Sequence, residues 1–485
     1  MKETGNGNCV RFKLAPSPET PATAKTPLLM ISPARRAAFE ILRRVELERA
    51  YASVLLAAMN PGMREDDRAL CHELVLGVLR NQLWLDRVME HFADRDSARI
   101  DLPVKLALRV ALYQLRFLSR IPPSAAVNES VNLVRAAGLK SAAAFTNAVL
   151  RGATRAPDYD PTLNARDAVE MLAIETSHPR WMIERWIHAL GFQDASMLAR
   201  ANNKPPSLAF RFTSRSMTSR ETLLKDLKSS GVELSQSKIL SSAWRLSHVN
   251  DVVRRFLNEG LIYFQDEASQ FVGHLMNATS EDRVLDVCAA PGSKATQMAA
   301  SAPGATIVAG DLHLHRLATM KDLAERQGAS VQLVAYDAGV SLPLMDCSFD
   351  RVLIDAPCSG TGTLRHNPEI RWRLKPSDIE ELAKKQRRIL ANGAATVKRG
   401  GRLVYATCSL EPEENEEVID NFLEGHSEFE RAAAGGPKEL CAKTGTIRTW
   451  PNYHDTDGFF VAVFERISLA IGSIACASIH VKLRG

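Results

Sequence analysis

The eight cysteines of this chain form no Cys-x-x-Cys pair, no apolar run is long enough to span a bilayer, and neither sign of charge is in large excess. Each absence removes a class of protein. Dispersed cysteines in a 485-residue chain without a secretory signal speak against a disulfide framework or a zinc site and point to reduced thiols in the cytoplasm. The opening stretch, residues 1–30, is rich in Pro, Thr and Gly and lacks an apolar core of signal-peptide length, so it reads as a disordered leader. The tail, residues 467–485, holds "ISLAIGSIACASIH", shorter than the roughly 20 residues a spanning helix needs; a terminal strand, a packed tail or disorder is expected there. Lys and Arg (61) barely outnumber Asp and Glu (56), a net +5 that permits a nucleic-acid partner without establishing one.

What the chain does have is enough apolar residue (45%) to build large cores and a length that suggests two to four domains. Residues 31–155 are helical throughout. "PARRAAFEILRRV" and "DRALCHELVLGVLR" repeat apolar residues three and four apart, Pro103 suits a helix start, and Ser124 reads as a cap, giving about five short helices and an all-α domain. Its arginines (Arg80, Arg87, Arg109, Arg116, Arg135, Arg151) form a candidate RNA-facing stripe, although a solvated helix surface fits them equally. Residues 156–275 read as a linker followed by a small mixed α/β module, with strand-like runs in "SLAFRFT" and "LIYFQDEAS" around a helical "SRETLLKDLKSSG".

Residues 276–466 change rhythm. Continuous apolar runs, "RVLDVCA", "ATIVAGD", "VQLVAYD", "RVLIDAP" and "GRLVYATCS", alternate with helical stretches, and "GFFVAVFE" closes the domain. Such runs are what strands covered on both faces need, so a Rossmann-like, doubly wound α/β sheet is expected, with its chemistry at the carboxyl ends of the strands. Those ends carry Asp286 with Cys288, Asp311, Asp337, Asp355 with Cys358, and Cys408. One such acid is usually a helix cap; a series along one edge is a site. "DVCAAPGSKAT" is neither GxxxxGK[ST] nor GxGxxG, so the nucleoside-triphosphate and dinucleotide readings lose weight. Its small residues let a ligand approach the backbone, and the helix start behind offers N–H groups to a carboxylate. Asp311 is placed for a ribose diol and Asp337 for an exocyclic amine, a combination that fits S-adenosylmethionine.

Cys358 and Cys408 end neighbouring strands and should face one pocket. Either alone reads as a buried structural thiol; as a pair beside Asp355 they suit carbon 5 of cytosine, a poor nucleophile until a thiolate adds to carbon 6. Asp355 then serves the nitrogen 3 and amino edge, and Lys294 the base or cofactor.

The motifs "DVCAAPGSKAT", "DAPCSGTGTLRHNPEIRW" and "YATCSLEPEENEEVIDNFL", with "QDEASQ" before and "DGFF" after, resemble the RsmB/Sun branch of the NOP2/Sun family of RNA cytosine-5 methyltransferases. The amino-terminal helices resemble the NusB-type RNA-binding domain of that branch, and the likeness spans residues 33–466. The resemblance implies an enzyme that methylates one cytosine of 16S ribosomal RNA, with S-adenosylmethionine held by Cys288, Ala289, Ala290, Pro291, Gly292, Ser293, Lys294, Asp311, Arg316, Asp337 and Asp355. It implies Cys408 as covalent nucleophile, with Cys358 assisting product release and Asp355 and Lys294 in the catalytic group. Ser293 stands where the family has Gly, Ala295 where it has Thr, and "RFT" (211–213) where it tends to have Arg-Val-Asn. DNA cytosine enzymes use the Pro-Cys thiol instead, which makes Cys358 the rival nucleophile. Protein-amide enzymes carry Asn-Pro-Pro-Tyr where this chain has Asp-Ala-Pro-Cys. A tRNA substrate and a non-catalytic, antitermination-like binding protein are the alternatives; no metal and no membrane are expected, and the chain is read as a monomer.

Overall fold

The computed structural model describes residues 31–59, 62–442 and 445–467, so the leader and, but for Ile467, the tail lie outside the described residues. Among those residues seven α-helices run from Pro33 to Arg155, two more than the periodicity suggested. One of the extra helices is the short Ala52–Ala57. The other arises at Asn81, whose backbone (φ −113°, ψ 18°) separates Glu65–Arg80 from Gln82–Ala93 and whose side-chain amide donates to the Gly77 carbonyl (2.8 Å). The helix Leu102–Phe117 is buried on nearly every side through Leu106, Ala107, Leu108, Val110, Ala111 and Leu112, the pattern of a central helix. Ser124 caps nothing: the helix Pro123–Ala136 already starts one residue earlier, where a proline ring presets the helical φ.

The arginine stripe does not form either. Arg109 is buried and forks onto Asp86 (2.7 and 2.8 Å) with a third bond to Glu46 (2.9 Å). Arg80 is buried and donates to the Arg365 carbonyl (2.9 Å), while Arg116 donates to the carbonyls of Ala153 and Ala156. Arg87, Arg135 and Arg151 alone of the six are exposed. Charged side chains sit inside only when paired, and these have found their partners within the protein.

Three helices (Ala168–Thr176, Arg180–Leu190, Phe192–Ala201) lead to a four-stranded antiparallel sheet of β1 (Leu208–Phe212), β2 (Leu234–Gln236), β3 (Trp244–Leu246) and β4 (Ile262–Phe264), in the order β2-β3-β1-β4. Helices Arg220–Ser229 and Asp251–Asn258 close its core around Phe210, Leu227, Val253 and Phe256. The helix Glu267–Leu275 that follows buries Ala268, Phe271, Val272 and Leu275 in the core of the large sheet, so that core reaches back into the stretch the sequence assigns to the module.

The large sheet contains β5 (Arg283–Asp286), β6 (Thr306–Asp311), β7 (Gln332–Ala335), β8 (Phe349–Asp355), β9 (Val397–Thr407), β10 (Phe429–Arg431), β11 (Ile447–Arg448) and β12 (Phe460–Arg466). The order is β10-β12-β9-β8-β5-β6-β7, with β11 against β12. The strands from β5 to β9 pair in parallel, as the apolar runs require; β12 adds antiparallel to β9, so the sheet is mixed at one edge. No helix among the described residues is long and apolar enough to cross a membrane.

One segment after β8 ties the domains together. Arg371, fully buried, donates to the Ser177 carbonyl (3.1 Å) and the Asn203 side chain (2.8 Å). Trp372 Nε1 donates to the Leu79 carbonyl (3.1 Å), and Arg373 donates to the carbonyls of Val45, Arg49 and Ala50 (2.6 to 2.8 Å) at the end of the first helix. A cation at a helix carboxyl end also complements its dipole. Truncating Arg371 strips buried acceptors of their donor, each worth about 1–3 kcal/mol. Arg371→Ala is therefore expected to lower the thermal midpoint by several degrees, whereas exposed Arg135→Ala leaves it unchanged; differential scanning calorimetry of the two variants checks this.

Candidate active site

The register of β8 on β9 pairs Asp355 with Ala406. Cys358 lies three residues past the first and Cys408 two past the second, so the two departing loops run side by side. The sulfurs of Cys358 and Cys408 are 3.2 Å apart, both cysteines are free, and both are half-buried. Hydrogen bonding to Cys408, followed by burial, pushes the Cys358 thiol well above its ordinary value.

Glu414 holds the loops in place. Its carboxylate accepts from the Ser359 amide (2.8 Å), from Gln386 Nε2 (2.9 Å) and from the hydroxyls of both Ser359 and Ser409. Burial raises its carboxyl, and these donors work against that rise. Thr361 Oγ1 accepts from the Leu410 amide (2.9 Å), and the Gly362 amide donates to the Cys408 carbonyl (2.9 Å), closing the two loops into one unit. Residues next to each cysteine are thus bonded to one buried anion.

Beside the thiols, Lys294 Nζ donates to Asp355 Oδ2 (2.7 Å) and lies 5.2 Å from the centroid of the Phe459 ring. Burial alone would favour the neutral amine, but the charge of Asp355 and the hydrogen bond to it outweigh burial and keep Lys294 an ammonium. Asp286 is 1% exposed, and neither of its oxygens has a hydrogen-bond partner. Burial first, and then repulsion from Asp355, push its carboxyl up to about 8.

The turn between β5 and the helix Ser293–Ser301 runs Cys288, Ala289, Ala290, Pro291, Gly292. Gly292 has φ +103°, and a Cβ there would meet Met320 Cγ at 2.6 Å, so only glycine fits. Arg316 Nη2 donates to the Ala290 carbonyl (2.6 Å) while its Nη1 lies 3.4 Å from Asp311 Oδ2, which joins the ends of β5 and β6. Arg211 of β1 donates to the Ser293 carbonyl and to Thr296 Oγ1 (2.9 Å each), so the small module grips the start of that helix. Asp337 is exposed, its carboxylate accepting from the Gly339 amide (2.8 Å). Small residues at a helix start, an orphaned buried carboxyl and an acidic rim fit a cationic nucleoside with an amino-acid tail.

Sequence reasoning reached Cys408, Cys358, Asp355, Lys294 and the turn, and the structure gathers these at one edge. It overlooked Glu414, Ser359, Ser409 and Phe459, and it counted Asp286 among the strand-end acids without giving it a role; the acids of "EPEEN", three residues after Cys408, were the available signal. A further group lies close by. Asp266, His366 and Asp457 each bring one ligand atom within 4.8 Å of the others. His366 Nε2 is 3.5 Å from Asp457 Oδ1 and 4.0 Å from Asp266 Oδ2. Burial lifts Asp457 to about 7, with Asp266 adding to the rise; in Asp266 burial is outweighed by His366 and by donors that include Thr456 and the Ala268 amide. The hydrogen bonds from the Thr456 hydroxyl (2.7 Å) and the Asp457 amide (3.2 Å) to Asp266 tie the loop before β12 to the start of the helix Glu267–Leu275.

Comparison with known proteins follows the same three parts. A model described as "NusB family" matches residues 32–155, and one described as "Methyltr_RsmF/B-like, ferredoxin-like domain" matches 178–253. A third, "16S rRNA methyltransferase RsmB/F", matches 273–465. The chain is 34% identical over 447 residues to the "Probable ribosomal RNA small subunit methyltransferase B" of Bacillus subtilis (strain 168), covering 89% of this chain and 98% of that one. It is 34% identical over 433 residues to the "Ribosomal RNA small subunit methyltransferase B" of Sodalis glossinidius (strain morsitans), covering 86% and 96%. The solved structure of PH0851 superposes with a TM-score of 0.76 at 28% identity, covering 90% of this chain and 99% of that one. With relatives matching along nearly their whole length and each part of the fold recognised in order, the chain belongs to the 16S rRNA methyltransferase RsmB/F family, enzymes that methylate RNA.

Proposed function

We propose that this chain methylates carbon 5 of one cytosine in 16S rRNA, in the cytoplasm, through a covalent bond between Cys408 and carbon 6 of the ring. The observation that carries the reading is the pair of sulfurs 3.2 Å apart beside the Lys294–Asp355 ion pair. S-adenosylmethionine, when bound, supplies an electrophilic methyl group. The turn from Cys288 to Lys294, together with Asp311, Arg316, Asp337 and Asp355, would hold it at the carboxyl edge of the sheet.

The Cys408 thiolate adds to carbon 6, and the electron pair pushed to carbon 5 makes that carbon the nucleophile. Lys294 and Asp355 face the polar edge of the base: the ammonium stabilises the negative charge that accumulates at nitrogen 3, and the carboxylate accepts from the exocyclic amine and holds the lysine in place. Once carbon 5 is methylated, its proton must leave and the carbon–sulfur bond must break. Cys358 is suited to both halves. Its raised thiol keeps its proton until elimination begins; then the Cys358 sulfur takes the proton of carbon 5, the freed electron pair forms the carbon 5–carbon 6 double bond and expels the Cys408 sulfur, and that sulfur receives the proton Cys358 gives up. The two protons then balance, and Cys408 must lose its own to solvent before the next turnover.

That same raised thiol favours Cys408 over Cys358 as nucleophile, because the thiolate and not the thiol attacks. Incubation with 16S rRNA and S-adenosylmethionine, followed by denaturing gel electrophoresis, is expected to show no RNA–protein adduct for Cys408→Ala, with methyl transfer reduced by at least about 10³-fold. Cys358→Ala is expected to accumulate the adduct, and the opposite pattern would exchange the two roles.

The electrostatics make a separate prediction. The folded-state value of Asp286, about 8, lies above its ordinary value of 3.8, so its stabilising contribution is complete below the lower value and is lost as pH rises toward and through the higher. Asp286→Asn cannot ionise. Its thermal midpoint should therefore gain on that of the native protein by several degrees between about pH 4 and pH 8 and run parallel to it above; parallel profiles throughout would show that Asp286 is not held protonated.

A further inference from the structure

A cavity of about 460 Å³ opens beside Cys358, and its walls come from two domains. The catalytic domain contributes Cys358, Arg373 and Lys385; the amino-terminal helical domain contributes Arg49 and Tyr51, from the turn between its first two helices. That turn is held in place. Arg373 donates to the Arg49 carbonyl (2.7 Å) and the Ala50 carbonyl (2.6 Å), and its guanidinium lies 5.8 Å from the centroid of the Tyr51 ring. Arg49 adopts φ +54°, a conformation an L side chain takes only when its surroundings impose it. The clamp leaves Tyr51 50% exposed at the mouth.

Three cations and one aromatic ring line the wall, together with the apolar Ile370, Leu374 and Leu382. Two acids also line it, and both have internal partners: Asp378 accepts from the Lys375 amide (2.9 Å) and Glu381 pairs with Lys384 (2.8 Å). Lys385 makes no ion pair among the described residues. A base can reach a thiol at a sheet edge only after leaving its stack, which splays the neighbouring nucleotides and exposes their faces. An exposed ring flanked by cations is the surface that takes such a strand, the ring stacking a base and the cations following the phosphates.

We propose that the nucleotide adjacent to the target cytosine binds in this cavity, its base stacked on Tyr51 and its phosphates beside Arg49 and Lys385. The helical domain then forms part of the substrate site and sets which single-stranded context is accepted. This rests on the reading of the chain as an RNA cytosine methyltransferase, and it adds a subsite for the neighbouring nucleotide.

The test uses the full chain with a 16S rRNA transcript, measuring methyl transfer at saturating S-adenosylmethionine and RNA affinity separately by fluorescence anisotropy. Tyr51→Ala is expected to weaken RNA affinity and raise KM about tenfold, with kcat within about twofold and the thermal midpoint unchanged. Tyr51→Trp is expected to restore both, and Lys385→Gln to lower the slope of log affinity against log salt by about 0.7. Native affinity and KM in Tyr51→Ala would overturn the proposal. So would a joint loss of affinity and thermal midpoint that tryptophan does not repair, because Tyr51 would then serve only the packing of the domains. A tenfold affinity loss in Tyr51→Ala, in a protein that methylates no cytosine at carbon 5, would uphold the subsite and overturn the cytosine reading.

Discussion

The parallel pairing of β8 with β9 is the constraint from which the chemistry follows. With Asp355 opposite Ala406, the chain leaves both strands at the same height, and two short loops bring a sulfur from each to a separation of 3.2 Å. Loops alone would not hold that geometry. Glu414 does, by accepting from both sides of the gap, and its burial is tolerable because donors surround it. An uncompensated carboxylate in that position would cost several kcal/mol; a satisfied one becomes a rigid pin between the loops.

The same edge of the sheet is linked to the rest of the molecule. Arg365, Arg371, Trp372 and Arg373 lie in the segment that follows the Cys358 loop, and all four side chains donate to backbone carbonyls of other domains. From the opposite direction, Arg211 of the small module grips the helix behind the cofactor turn. The domains are therefore not beads on a string. The helical domain and the module are bonded to the two loops on which catalysis depends, so displacement of either is felt at the thiols or at the turn.

The sequence announced whatever depended on local pattern. Continuous Val, Ile and Leu runs marked the parallel strands, the acids and thiols at their ends marked the edge where the site lies, and "AAPGSK" marked a turn that needs small residues. What stayed hidden depends on partners far away in the chain. Arg80 and Arg109 look like surface charge until Arg365, Asp86 and Glu46 fold against them. Arg371 looks solvent-facing until its partners arrive from nearly 200 residues upstream (separations of 194 and 168). Glu414 reads as one acid in an acidic helix start, and only the convergence of two loops makes it a pin. Asn81 splits a helix that periodicity runs together, because a single backbone rotation leaves the apolar spacing on either side unchanged.

The central claim is that Cys358 and Cys408 form one dithiol in the folded protein. The most direct test is treatment of the native chain with a trivalent arsenical such as phenylarsine oxide, which bridges only sulfurs already side by side, followed by mass spectrometry of the intact protein and of its peptides. The account predicts one arsenic per chain, protection of these two cysteines together from alkylation, and loss of binding when either is replaced by alanine. Alkylation of Cys358 and Cys408 independently of each other, with no arsenic retained, would contradict it.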